Sequence, residues 1–159
     1  MRKFLSFLLI FLVVLSVPLP AEAQVASEQP TKIMVYRRSN ICKIYNKEHQ
    51  LIKTLSVSTG KPGHETPLGV YQIYEHVNDG DYHLMEDGTY ARYCLRFKKG
   101  GFMFHTVCYA TAEDIEPIPE ETAAIGTSAS LGCVRLNVAD AKWLYNVTSN
   151  GCLVIVVDY

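Results

Sequence analysis

From Pro30 onward the chain alternates apolar and polar residues in short runs broken by turn residues. In residues 32–37, Ile33, Val35 and Arg37 point one way and Lys32, Met34 and Tyr36 the other, the period of a half-buried strand. Residues 41–45 and 50–58 carry the next two strands. The turns Arg38-Ser39-Asn40 and Asn46-Lys47-Glu48-His49 separate them, so the opening reads as a meander. A further strand is expected at 70–76. A hairpin is expected from 93–97 and 102–106 about Lys98-Lys99-Gly100-Gly101, with Phe97 facing Phe102 and Cys94 facing His105. After Cys133 the period changes. Asn137 is placed to cap a helix, Asp140 echoes a capping box, and Ala141, Leu144 and Tyr145 share a face until Ser149-Asn150-Gly151 ends it. Residues 152–157 form a continuous, mostly β-branched run, expected as a buried central strand. Three polar stretches remain as loops. Residues 59–69 hold His64 and Glu65, 77–89 read as a loop or loose hairpin, and 107–129 are long and acidic with Pro117 and Pro119. The pattern predicts a mainly β domain with one helix.

The N-terminus breaks this pattern. Arg2 and Lys3 precede residues 4–17, apolar except for Ser6 and Ser16; Pro18 and Pro20 follow, then Ala21-Glu22-Ala23. That is the layout of a secretory signal with an A-x-A cleavage site. The apolar run falls short of the roughly 20 residues of a membrane span, which favours cleavage over a retained anchor. The expected organisation is a leader at 1–23, a short linker at 24–30 and one domain at 31–159. Losing Arg2, Lys3 and Glu22 would take the formal net charge from −1 to −2. No basic stripe remains to bind nucleic acid.

The chemistry gathers at Gly126-Thr127-Ser128-Ala129-Ser130-Leu131-Gly132-Cys133-Val134-Arg135-Leu136. Small residues permit a tight turn and a close substrate, and a thiol at such a turn, ringed by backbone N–H groups, suits a nucleophile beside an oxyanion hole. His105, at the end of an apolar strand, is the candidate base. The competing reading makes Cys133 a small buried hydrophobe and His105 an ordinary strand-end residue. Taking Cys133 as the free thiol leaves Cys42, Cys94, Cys108 and Cys152, an even set that in an exported chain suggests disulfides. The hairpin geometry argues against a Cys94–Cys108 bridge. A zinc site from His105, Cys108, Cys133 and Cys152 is the weaker reading, since there is no second closely spaced ligand pair. His64 as a base is weaker still, and Asn146-Val147-Thr148 is a glycosylation sequon inside the expected helix.

Ser130-Leu131-Gly132-Cys133-Val134-Arg135-Leu136 resembles the signature of the L,D-transpeptidase catalytic domain, the YkuD-type family. So do Ser56-Val57-Ser58-Thr59-Gly60-Lys61, Thr66-Pro67-Leu68-Gly69-Val70-Tyr71 and Phe104-His105-Thr106-Val107, in the family's order. The resemblance implies a β-sandwich of mixed strands with one helix after the nucleophile. It implies an exported cysteine acyltransferase of the cell envelope, acting on peptidoglycan stem peptides without metal or cofactor, as a monomer. Cys133 would attack the donor between its third residue and D-alanine. His105 would carry the proton, and as an imidazolium would raise the thiolate fraction. Thr106 would orient the imidazole, and the Gly132 and Cys133 amides would hold the oxyanion. Arg135 would fix the site or meet a substrate carboxylate. Ser130 would line the substrate site, with Tyr82 and Tyr90 facing the substrate from a flap. Release of the thioester by an amine gives a 3→3 cross-link; release by water makes an L,D-carboxypeptidase. Two departures stand out. Leu131 occupies the place where the family usually has histidine, which also admits a weakly active or inactive wall-binding domain. The 24 residues between His105 and Ser130 exceed the family's usual spacing, as a surface insertion would.

Overall fold

The computed structural model describes residues 29–159, so the expected leader and most of the linker lie outside the described residues. Strands β1 (Lys32–Tyr36), β2 (Ile41–Tyr45) and β3 (Leu51–Ser56) form the expected antiparallel meander. The last strand, β13 (Leu153–Val157), inserts parallel to β1, and β5 (Gly69–Gln72) closes the sheet against β13, giving the order β3-β2-β1-β13-β5. The apolar run at 152–157 thus has a neighbour on each side.

A second sheet has the order β12-β10-β9-β6, from β6 (Glu75–His76), β9 (Leu95–Lys98), β10 (Phe102–Thr106) and β12 (Val134–Leu136). Its β9–β10 pair is the expected hairpin, with one correction. Phe102 pairs with Lys98 and Met103 with Arg96, so Phe97 is an extra residue rather than the partner of Phe102. Such a bulge lets both sides of the tight turn keep their apolar residues inward. The stretch at 70–76 is likewise two strands, since β5 and β6 belong to different sheets. Two short pairs complete the β structure: β4 (Thr59–Gly60) with β11 (Ser128–Ser130), and β7 (His83–Leu84) with β8 (Tyr90–Ala91).

The two sheets pack on a shared core. Ile33, Val35, Ile44 and Val154 come from the first, and Leu95, Phe104, Val134 and Leu136 from the second. Phe97 and Phe104 meet with ring centroids 5.2 Å apart. The expected helix is α2 (Val138–Val147), following α1, a short one at Pro119–Ala123. Asn137 Oδ1 accepts the Asp140 N–H at 2.8 Å, the predicted cap, and Ala141 and Leu144 enter the core. The acidic stretch was expected to be loop throughout; α1 lies within it, started by Pro119 at a position where a missing N–H costs nothing.

All five cysteines are free thiols, which corrects the expectation of disulfides. Cys42 and Cys152 are buried in the main core as small apolar groups, and Cys94 lies in a second cluster with Val77, Ala91 and Met103.

Candidate active site

Side chains alternate along a strand, so β10 and β12 each present two faces. Phe104 pairs with Val134, His105 with Arg135 and Thr106 with Leu136. Phe104, Val134 and Leu136 enter the core, which leaves Met103, His105, Cys133 and Arg135 on the other face. There they line one cavity of about 230 Å3. Cys133 and His105, far apart in sequence, are brought together by the parallel pairing of the strands that carry them.

Gly132, which positions the thiol, has φ of +120°, and a Cβ there would come within 2.7 Å of the Phe102 ring. Only glycine fits this turn without displacing that ring. Ser130 is fully buried and clamps the same turn. Its Oγ accepts the Gly132 N–H at 3.0 Å and donates to the Cys133 carbonyl at 2.6 Å. The Gly132 amide, expected as an oxyanion donor, is therefore engaged by Ser130. Cys133 Sγ donates to the Gly101 carbonyl at 3.3 Å.

His105 is fully buried, and its Nδ1 donates to the Thr106 carbonyl at 2.6 Å. The orienting group is thus the Thr106 backbone, while its hydroxyl accepts the Arg92 N–H at 3.0 Å. With Nδ1 carrying the proton, Nε2 is left as the acceptor, and it has no protein partner. Burial, and then the Arg135 guanidinium, hold His105 down at about 4, against a smaller opposing effect of the Thr106 carbonyl. Burial pushes the Cys133 thiol up to about 11, against the Met103 N–H and Arg135. Both shifts favour the neutral forms at rest, the opposite direction to the expected imidazolium–thiolate pair.

Arg135 is buried, its Nη1 ion-paired with Glu121 Oε2 of α1 and its Nε without a partner. Leu131 is 48% exposed at the cavity rim. Tyr82 and Tyr90 do not line the cavity. The Tyr82 hydroxyl donates to the Asp114 carbonyl, and Tyr90 exchanges backbone hydrogen bonds with Tyr109. His64 is exposed in its loop and also stands outside the cavity. Among the described residues, no three His, Cys, Asp or Glu side chains converge as metal ligands, so His105, Cys108, Cys133 and Cys152 do not form the zinc set weighed above.

Sequence reasoning passed over part of the wall. His83, Leu84, Glu86 and Asp87 reach the cavity from the β7–β8 hairpin, and Arg96 from β9. Arg96 is held by Glu75 at 2.9 Å and meets His83 Nε2 at 3.4 Å, so His83 accepts there. Burial and the Arg96 charge hold His83 below its usual range. The alternation of β9 was the available signal for Arg96, which shares a strand face with Cys94; nothing in the sequence singled out His83.

The profile of the YkuD family, the L,D-transpeptidase catalytic domain, matches residues 30–156. The chain is 35% identical over 111 residues to YciB of Bacillus subtilis (strain 168), which carries a provisional L,D-transpeptidase name; the match covers 65% of this chain and 54% of that protein. An L,D-transpeptidase from Mycobacterium smegmatis superposes with a TM-score of 0.66 at 18% identity, over 81% of this chain and 59% of that one. L,D-transpeptidase 3 from Mycobacterium tuberculosis, in complex with a faropenem-derived adduct, gives 0.62 at 19% identity, over 81% and 61%. The chain spans about half the length of the curated relative and about three fifths of these structures.

Proposed function

Since the chain belongs to the YkuD family of L,D-transpeptidase catalytic domains, we propose that it is a cysteine acyltransferase of the cell envelope that cross-links peptidoglycan stem peptides. The observation that carries this reading is the placement of Cys133 and the unpartnered Nε2 of His105 in one cavity, with Nδ1 tied to the Thr106 carbonyl.

In the proposed reaction a tetrapeptide donor lays the carbonyl of its third residue over Cys133. The thiol is protonated at rest, so its proton passes to His105 Nε2 as Sγ attacks, rather than beforehand. The burial that raises the thiol also makes the thiolate, once formed, a strong nucleophile, because nucleophilicity rises with basicity. The Cys133 amide is the oxyanion donor in this reading, and one such donor lowers a barrier by roughly 3 kcal/mol. Collapse of the tetrahedral intermediate breaks the bond to D-alanine, whose nitrogen takes the proton from His105. The thioester then yields to the amine of a second stem peptide, forming a 3→3 link and restoring the thiol. Ser130 holds the turn that aims Cys133, and Arg135 supplies positive charge beside the pair. Residues 1–23 act as the export signal, which brings the domain to its substrate.

Purified protein incubated with a tetrapeptide muropeptide, followed by mass, tests the reading with Cys133→Ala as control. A cross-linked dimer lost in the control is the expected result. Tripeptide alone would make the protein an L,D-carboxypeptidase. Neither product, with folded protein and authentic substrate, would leave a wall-binding domain.

A further inference from the structure

The 107–129 segment reads in sequence as a solvated insertion, yet it is fastened to the site at several points. Ser58 Oγ donates to the Ala124 carbonyl at 2.6 Å, the Gly126 N–H to the Val57 carbonyl at 3.0 Å and the Val107 N–H to the Leu136 carbonyl at 2.7 Å, while within the segment the Ile118 N–H donates to the Cys108 carbonyl at 2.8 Å. These bonds hold α1 so that Glu121 meets Arg135, with the two side chains 26% and 8% exposed. Among the described residues, Glu121 is the one carboxylate within ion-pair distance of that guanidinium.

Arg135 pairs in register with His105 and lines the same cavity wall as Cys133. A bare guanidinium there would oppose the imidazolium that forms when the thiol gives up its proton. It would also stabilise the thiolate, which eases deprotonation but makes the thiolate a weaker nucleophile. The other charges facing the pair are placed differently. Glu86, Asp87 and His83 come from the β7–β8 hairpin, with Asp87 Oδ1 taken by the Thr89 hydroxyl at 2.6 Å; Arg96 comes from β9 and is bound to Glu75. The thiols of Cys94 and Cys108 complete the set, both held protonated by burial.

We propose that Glu121 is a positioning residue of the reaction: from the insertion it closes a part-buried ion pair on Arg135, fixing that guanidinium and trimming its field at Cys133 and His105. The insertion is on this account part of the active site. The proposal rests on the acyltransferase reading for its catalytic consequence, but its electrostatic core is testable without substrate.

The test measures the alkylation rate of Cys133 by iodoacetamide against pH, then the acylation rate by a tetrapeptide donor, in wild type, Glu121→Gln and Glu121→Asp. Removing the carboxylate charge is expected to move the alkylation midpoint down by about one pH unit. Acylation at neutral pH is expected to fall several-fold, because the unneutralised Arg135 opposes the imidazolium that must form on His105 and weakens the thiolate as a nucleophile. Glu121→Asp keeps the charge on a shorter stem, so it should fall between the two in both readouts, and it serves alone if the glutamine variant does not fold. Alkylation profiles of the folded variants that superimpose on wild type would overturn the proposal. Absence of acylation in wild type would instead overturn the acyltransferase reading and leave the alkylation result to decide the role of Glu121.

Discussion

The five-stranded sheet buries one side of its strands at β1, β2 and β13, and the four-stranded sheet buries both sides along β10 and β12. In β1, β2 and β13 every second residue is buried and its neighbours are part-exposed. In β10 the four residues after Phe102 are all buried. Phe104 faces the core that both sheets share, while Met103 and His105 face a cavity walled on one side by the β7–β8 hairpin. The first arrangement gains stability from apolar area removed from water. The second spends part of that gain on burying an imidazole and a guanidinium. Ionisable side chains at buried strand positions, where alternation alone would predict an apolar residue, mark the chemical face.

The largest effect that would break this contrast is expected at His105. Glutamine there keeps the approximate size and loses the base, so acylation of Cys133 should fall by roughly 10³-fold, in the range typical of general base loss. The same variant tests the energetic side. His105 titrates near 4 in the folded protein and near 6.5 when exposed, so the unfolded chain takes up the proton first. Its contribution is complete above about pH 6.5 and is lost as pH falls towards 4, about 3 kcal/mol in all. Denaturant titrations at several pH values should show that acid limb in wild type and a flatter one in His105→Gln.

Ile44→Ala sharpens the comparison from the other sheet. Ile44 is fully buried in the shared core, so the truncation should cost about 3 kcal/mol of unfolding free energy, with the acylation rate per folded molecule unchanged. A matching loss of rate would mean that the two faces are not separable. The smallest effect is expected at the rim. Leu131 is half exposed and makes none of the hydrogen bonds that hold Cys133 or His105, so Leu131→His should change acylation by less than about fivefold and stability by less than about 0.5 kcal/mol. A gain of a hundredfold or more would show that the family's usual histidine does catalytic work that Leu131 lacks.

Much of this was legible in the chain. The meander, the β9–β10 hairpin and α2 carry local signals: a period of two with turn residues between, and a side-chain cap at Asn137. Cys133 and His105 stood out because small residues surround the one and an apolar strand delivers the other. What escaped is set by distant partners. Val134 to Leu136 is too short to show a period, and is a strand because β10 lies beside it. The stretch at 70–76 divides because its two halves pair with different sheets, while its residues read as one run. Glu121 looked like one acid among several on a loop, and only the folding of α1 against residues 57 and 58 aims it at Arg135. The hairpin wall was foreseen as polar and turn-rich, but Tyr82 and Tyr90 turn to Asp114 and Tyr109 while His83 and Asp87 reach the cavity.

The most direct test of the central claim is the intact mass of the protein after brief exposure to a tetrapeptide donor, quenched in acid and mapped by peptide. The account predicts a single adduct equal to the donor less D-alanine, on Cys133 and absent from Cys133→Ala, with Cys94 and Cys108 unmodified. An adduct on another residue, or turnover that survives the loss of Cys133, would contradict it.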